Sequence, residues 1–187
     1  MKVLVVVDMQ NDFIDGALGT KEAVAIVDNV RKKVNQYLEN GDTVLYTRDT
    51  HTEQYLQTQE GQKLPVVHCV KGTFGWEISE KVYAEGCTVV DKPSFGSLVL
   101  PDVVREAAEQ CGTAQSGKAE ASGNPESIEL IGLCTDICVI SNAMILKAAF
   151  PEVPIVVDAS CCAGVTPESH ENALNAMRMC QIQITDC

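Results

Sequence analysis

The chain is short of positive charge. Its 187 residues hold 14 Lys and Arg against 26 Asp and Glu, a formal net charge of −12. Phosphate backbones are bound by clustered Lys and Arg, so nucleic acid is excluded as a partner. Long apolar runs are also missing. None approaches the roughly 20 residues needed to span a bilayer, which excludes a membrane helix. The opening "MKVLVVVDMQNDF" has one Lys and a short apolar run, and it ends in Asp8 where a leader would have a small-residue cleavage site. It reads as a core strand. There is no internal repeat, and there are only three histidines.

Cysteine, by contrast, is plentiful. There are nine, an odd number, in a chain long enough to fold without staples. Without a secretory signal they read as thiols, and the expected location is the cytoplasm. Apolar residues at 45% and charged residues at 21% are ordinary for a soluble protein, and the length suits one domain over 1–187.

The order of elements follows from periodicity. "KVLVVVD" (Lys2 to Asp8) is a β-branched run suited to a strand buried on both faces. Lys21 to Glu39 reads as a helix with Val24, Val27, Val30, Val34 and Leu38 on its apolar face, stopped by Asn40-Gly41. "TVLYTRD", "CTVVDK", "SIELIGL", "VPIVVDA" and "QIQIT" are further strands. "PDVVREAAEQ", "CVISNAMILKAAF" and "PESHENALNAMRMC" are helices between them. This alternation predicts an α/β fold of three layers with a mostly parallel, Rossmann-like sheet of about six strands. Two stretches break the rhythm. Thr52 to Trp76 is long, polar and irregular, with two of the three histidines in or beside it. Gly112 to Glu126 is rich in Gly, Ser and Ala and reads as a mobile connection.

In such folds ligands bind beyond the carboxyl ends of the strands. Asp8, Asp49, His51, Lys92 and Cys134 to Cys138 all fall there. Thr135 or Asp136 can cap the following helix, which puts Cys138 in its first turn, where the dipole favours a thiolate. Cys134 precedes the cap and gains less. Lys92 adds a second positive charge, and Asp8 can carry the thiol proton to a leaving amine. The N–H groups of Cys134 and Cys138 are candidate oxyanion donors. The alternative is a buried structural Cys138, a surface Lys92 and a turn Asp8.

"VVDMQNDF", "DKPSFGS" and "GLCTDICV" resemble the three signature blocks of the isochorismatase-like cysteine hydrolases, a family that includes nicotinamidases. The likeness runs from the first strand to about Gly164. It implies an isochorismatase-like hydrolase fold, with Asp8 as general acid/base, Lys92 as the positive partner and Cys138 as nucleophile. It also implies a cis peptide before Cys134 and oxyanion donors at Cys134 and Cys138. Isochorismatases proper lack that cysteine, so cleavage of a C–N bond is expected. Phe13 matches a position where members often set a ring against the substrate.

"RDTH" sets Asp49 and His51 on one face of an extended segment, donors that suit zinc, iron or manganese, with His68 as a third ligand. The alternative is a turn-capping Asp49 with two hydrogen-bonded histidines. The resemblance implies a divalent metal on Asp49, His51 and His68 that grips a substrate ring nitrogen, and a glutamate that some members add matches Glu60 in preference to Glu53. Cys69 points away in an extended segment. Several nicotinamidases place a tryptophan just before the metal histidine, where this chain has "KLPVV".

The expected function is a metal-assisted cysteine amidohydrolase, nicotinamide being the first substrate to consider. The alternatives are hydrolysis of another small amide or carbamoyl compound, or a non-enzymatic metal or thiol redox protein using the Cys161-Cys162 pair. That pair reads as lying after the fifth strand and as ordinary packing. His170 reads as a solvated surface residue and Trp76 as a packing residue. The apolar helices permit a homo-oligomer.

Overall fold

The computed structural model describes residues 1–115 and 124–186. Six strands are present: β1 (Lys2–Val7), β2 (Thr43–Asp49), β3 (Thr88–Lys92), β4 (Ser127–Leu133), β5 (Ile155–Ala163) and β6 (Gln183–Thr185). Six α-helices accompany them: α1 (Asn11–Ile14), α2 (Lys21–Glu39), α3 (Gln59–Lys63), α4 (Leu100–Gln115), α5 (Ile140–Ala149) and α6 (Pro167–Met179). The strand order is β3-β2-β1-β4-β5-β6, with every neighbouring pair parallel. Among the described residues, no helix is long and apolar enough to cross a membrane.

Alternation along β1 builds two cores. Val3, Val5 and Val7 face the α4, α5 and α6 layer, while Leu4 and Val6 face α2. All five are fully buried. Each such side chain contributes roughly 1.5–3 kcal/mol of transfer free energy. The expected three layers are therefore present.

Several boundaries differ from expectation. The buried stripe of α2 is Ala23, Ile26, Val27, Val30, Val34 and Tyr37, whereas Val24 and Leu38 are exposed. Helical spacing through Val27, Val30 and Val34 continues onto Ala23 and Tyr37 and turns Val24 and Leu38 off the core. Gly112 to Gln115 continue α4 and are not part of a connection. Residues 116–123 of that stretch lie outside the described residues. Strand β5 runs on through Cys161 and Cys162, so the pair lies within the strand.

The chain reverses its strand order at β1, between β2 and β4. The crevice at such a switch point is where this class of sheet binds ligands. β4 approaches β1 there through Gly132, whose φ is +113°. A Cβ at Gly132 would stand 2.1 Å from the Val7 carbonyl oxygen, so only glycine fits. The register of β4 against β5 shifts between Leu130 and Gly132, which marks the end of regular strand just before Cys134.

Candidate active site

Three elements meet at this crevice. Asp8 follows β1 with a φ of +47°, Lys92 ends β3, and Cys138 lies in the turn after β4. Lys92 Nζ stands 2.7 Å from Asp8 Oδ2 and 3.4 Å from Cys138 Sγ. All three side chains are buried. Thr47 Oγ1 donates to Asp8 Oδ1 at 2.6 Å. Lys92 also donates to the Ser94 carbonyl at 3.1 Å.

Burial penalises the charged form of each group. For Lys92 the acid Asp8, then Cys138 and Asp49, outweigh that penalty and hold the ammonium above its ordinary range. For Asp8 burial wins over the pull of Lys92, with Asp49 adding to it, and the carboxyl is raised. For Cys138 burial, then the charge of Asp8, drives the thiol well above its usual value despite Lys92. Burial thus holds the Cys138 thiol up, against the thiolate that the helix dipole and Lys92 favour. Cys134 is pushed up to about 12, by burial and then by Asp136.

The turn itself departs from a simple capped helix. Thr135–Val139 forms one π-helical turn that runs into α5, with Cys134 at the cap and no side-chain cap bond. Thr135 and Asp136 are engaged elsewhere. Thr135 Oγ1 lies 2.8 Å from His170 Nδ1, and Asp136 Oδ1 accepts from the Val165 N–H at 3.1 Å. These bonds tie the turn to α6 and to the loop before it, so the two residues are not free to cap. His170 is accordingly half-buried and bonded, not the solvated residue expected. The Cys134 carbonyl accepts from Ile137 and Val139, passing over the N–H of Cys138. The peptide between Leu133 and Cys134 is cis.

Beside this trio lies a second group. Asp49, His51, Glu60 and His68 each bring one ligand atom within 4.8 Å of the others. His51 Nε2 is 2.9 Å from Asp49 Oδ2 and 3.6 Å from Glu60 Oε1. His68 Nε2 is 3.6 Å from Asp49 Oδ2 and 3.8 Å from Glu60 Oε1. His51 Nε2 is buried and makes no hydrogen bond despite its near neighbour. His68 Nδ1 is held by the Val66 carbonyl at 2.8 Å, which leaves Nε2 facing the group. Two imidazoles and two carboxylates converging on one point, with an orphaned buried nitrogen, fit a divalent cation. Glu53 is exposed and Cys69 is not in the group.

Other residues hold this group, and the sequence assigned them no part in it. Gln10 clamps the backbone of Asp49: its Nε2 donates to the carbonyl at 2.9 Å and its Oε1 accepts from the N–H at 2.7 Å. Tyr55 sets its ring against His51 and His68, with centroids 4.6 and 4.9 Å away. Asp12 Oδ2 accepts from the Cys69 N–H, and Gly75 packs so near that a Cβ would reach 2.2 Å from the same oxygen. This close approach explains the glycine at position 75. Trp76 packs away from the pocket under the Arg48 guanidinium, 3.5 Å from its ring centroid.

A cavity of about 330 Å³ joins the two groups. Asp49, Glu60 and His68 stand in its wall, as do Cys134 and Cys138. The remaining wall is largely apolar: Phe13, Leu18, Leu64, Phe95, Leu133, Ile137 and Val165. Phe13 also contacts His68, with ring centroids 5.5 Å apart. From the "KLPVV" segment Leu64 lines the pocket.

Cys161 and Cys162 sit on opposite faces of the sheet, one in each core. Both thiols are raised by burial, Cys161 to about 12.

The sequence profile of the isochorismatase domain matches residues 2–186. A nicotinamidase of Acinetobacter baylyi is 25% identical over 173 residues, 83% of this chain and 79% of that protein. The pyrazinamidase of Pyrococcus horikoshii, solved in complex with zinc, superposes with a TM-score of 0.78 at 25% identity, covering 100% of this chain and 99% of the other. N-carbamoylsarcosine amidase from Thermoplasma acidophilum superposes with a TM-score of 0.74 at 25% identity, covering 98% and 94%. With the profile spanning nearly every residue and the fold shared end to end, the chain belongs to the isochorismatase family of hydrolases.

Proposed function

We propose that this protein is a metal-assisted cysteine amidohydrolase, with Cys138 as nucleophile, Asp8 as general acid/base and Lys92 as their cationic partner. The observation that carries the reading is the Lys92 ammonium, bridging Asp8 and Cys138 beside a pocket whose wall holds Cys138 together with Asp49, Glu60 and His68.

The raised Asp8 carboxyl suits a group that must hold a proton between two steps. Asp8 takes the Cys138 proton as sulfur attacks the amide carbon. A C–S bond forms, and the carbonyl π pair moves to oxygen, facing the N–H groups of Cys134 and Cys138. Asp8 returns the proton to nitrogen, the C–N bond breaks, and ammonia leaves. Water then gives a proton to Asp8 and its hydroxide adds to the thioester. The C–S bond breaks, and the sulfur regains the proton. Lys92 stays charged throughout and balances whichever of Asp8 and Cys138 is anionic. A divalent metal, zinc first and iron or manganese next, would be held by Asp49, His51, Glu60 and His68 and supply a Lewis-acid anchor for a substrate lone pair.

Nicotinamide, yielding nicotinate, is the first substrate, supported by the nicotinamidase and pyrazinamidase relatives and by the quartet beside the thiol. A second reading, a small carbamoyl compound, is favoured by Leu64 in the pocket wall and by the carbamoylsarcosine amidase likeness. A thiol redox protein is disfavoured, since Cys161 and Cys162 point into separate cores. The test is ammonia release by zinc-loaded protein offered nicotinamide and, separately, an N-carbamoyl amino acid. Release from the first supports nicotinamidase activity, release from the second alone moves the substrate to the carbamoyl class, and release from neither contradicts both substrates.

A further inference from the structure

Asn142 lies one helical turn beyond Cys138 in α5 and is fully buried. Asparagine inside a helix is unfavourable unless its amide has other work, because it competes for backbone groups. Here the amide is fully used. Its Nδ2 donates to the Cys138 carbonyl at 2.8 Å and to the Phe95 carbonyl at 3.2 Å. Its Oδ1 accepts from the Ser97 N–H at 2.9 Å. One side chain thus joins the carbonyl of Cys138 to the loop that follows Lys92.

That loop has few other anchors. Lys92 donates to the Ser94 carbonyl, and Gly96 packs on α5 so closely that a Cβ would stand 2.6 Å from Ile145 Cδ1. The loop carries Phe95, whose ring lines the pocket while remaining 46% exposed. A ring so exposed is weakly held by its own packing, so its place is set by the backbone that Asn142 grips. Two amide donors and an acceptor at this reach are offered by no shorter side chain.

We propose that Asn142 is a positioning residue that fixes the Phe95 wall of the pocket to the turn carrying Cys138. The proposal rests on Cys138 being the reacting thiol, and part of its test needs no substrate. Cys138 is only 5% exposed, so a loosened wall should admit a small alkylating agent. The buried thiols of Cys69, Cys161 and Cys162 gauge general loosening.

The experiment measures iodoacetamide alkylation of each cysteine by peptide mass spectrometry in the parent and Asn142→Ala, with kcat and KM for whichever amide the parent hydrolyses. The expected result is at least tenfold faster alkylation of Cys138, unchanged Cys69, Cys161 and Cys162, and a KM raised at least fivefold with a smaller change in kcat. Parallel acceleration at all four cysteines would mean a structural role only and overturn the proposal. An unchanged Cys138 rate would overturn it as well. Phe95→Ala removes the wall without touching the helix and should reproduce the selective acceleration, which covers the case in which Asn142→Ala does not fold. If Phe95→Ala leaves Cys138 as slow as in the parent, the proposal fails. If the parent hydrolyses no amide, the alkylation results still decide.

Discussion

The Lys92 ammonium stands 3.4 Å from the Cys138 sulfur, yet burial and the neighbouring Asp8 outweigh that charge and push the thiol above its ordinary value. Activation therefore belongs to the substrate-bound state, when Asp8 can take the proton. In the free protein the rate of Cys138 alkylation should still be climbing at pH 9, since the thiolate fraction grows until pH passes the raised value. A plateau below pH 8 would contradict this.

Lys92→Met should leave Asp8 and Asp49 buried without their cation. Removing one partner of a buried ion pair costs about 3–5 kcal/mol. The urea midpoint should fall accordingly, amide hydrolysis should fall by roughly 100-fold or more, and Cys138 alkylation at pH 8 should slow further, because the cation beside the sulfur is gone.

Metal removal should lower the melting temperature. A ligand bound only to the folded state at about 100 times its Kd adds roughly 2.7 kcal/mol. Chelation should therefore shift the thermal midpoint down, and zinc should restore it. His51→Ala and His68→Ala should abolish bound metal measured by elemental analysis. Glu60→Gln should weaken it less, because Glu60 is the most exposed of the four.

Gly132→Ala tests the approach of β4 to β1. The added Cβ would meet the Val7 carbonyl at 2.1 Å, at a φ of +113°. Strain of this kind costs about 1–3 kcal/mol before the clash is counted, so the denaturation midpoint should drop by at least that much.

A separate buried network tests the sheet away from the pocket. Lys33 Nζ lies 3.0 Å from Glu129 Oε1 and 2.8 Å from Asp158 Oδ2. Burial works against the Asp158 charge, but the Lys33 and Ser160 bonds win and hold its carboxyl below the usual carboxylate range. A depressed carboxylate adds stability above its unfolded pKa and loses it as pH falls through the folded one. Lys33→Met strands both acids and should cost about 3–5 kcal/mol at pH 7. The deficit should shrink toward pH 4 as Asp158, left without its cation, takes up a proton, which urea titrations at the two pH values would show.

Much of this was readable along the chain because strands and their ends are local. The β-branched run at Lys2 to Asp8 and the apolar run before Cys134 placed the strands, and strand ends placed Asp8, Asp49, Lys92 and Cys138 together. The Asp49, His51 and His68 pattern was similarly short in range, and the family resemblance added Glu60. What was not readable depends on partners distant in sequence. Thr135 looked like a cap because His170 lies 35 residues away. Cys138 looked acidic because sequence shows the nearby cation but not the burial. Thr47, Tyr55 and Asn142 are polar residues whose bonds form only once loops meet, and nothing in their own neighbourhoods marks them; Gln10 lies in a signature block, but its clamp on Asp49 spans 39 residues.

The central claim is that Cys138, and not Cys134, attacks the amide. Ammonia release by zinc-loaded parent, Cys138→Ala and Cys134→Ala, on the best amide found, tests it most directly. The parent and Cys134→Ala should release ammonia, and Cys138→Ala should release none. Release that survives in Cys138→Ala, or that is lost only in Cys134→Ala, would contradict it.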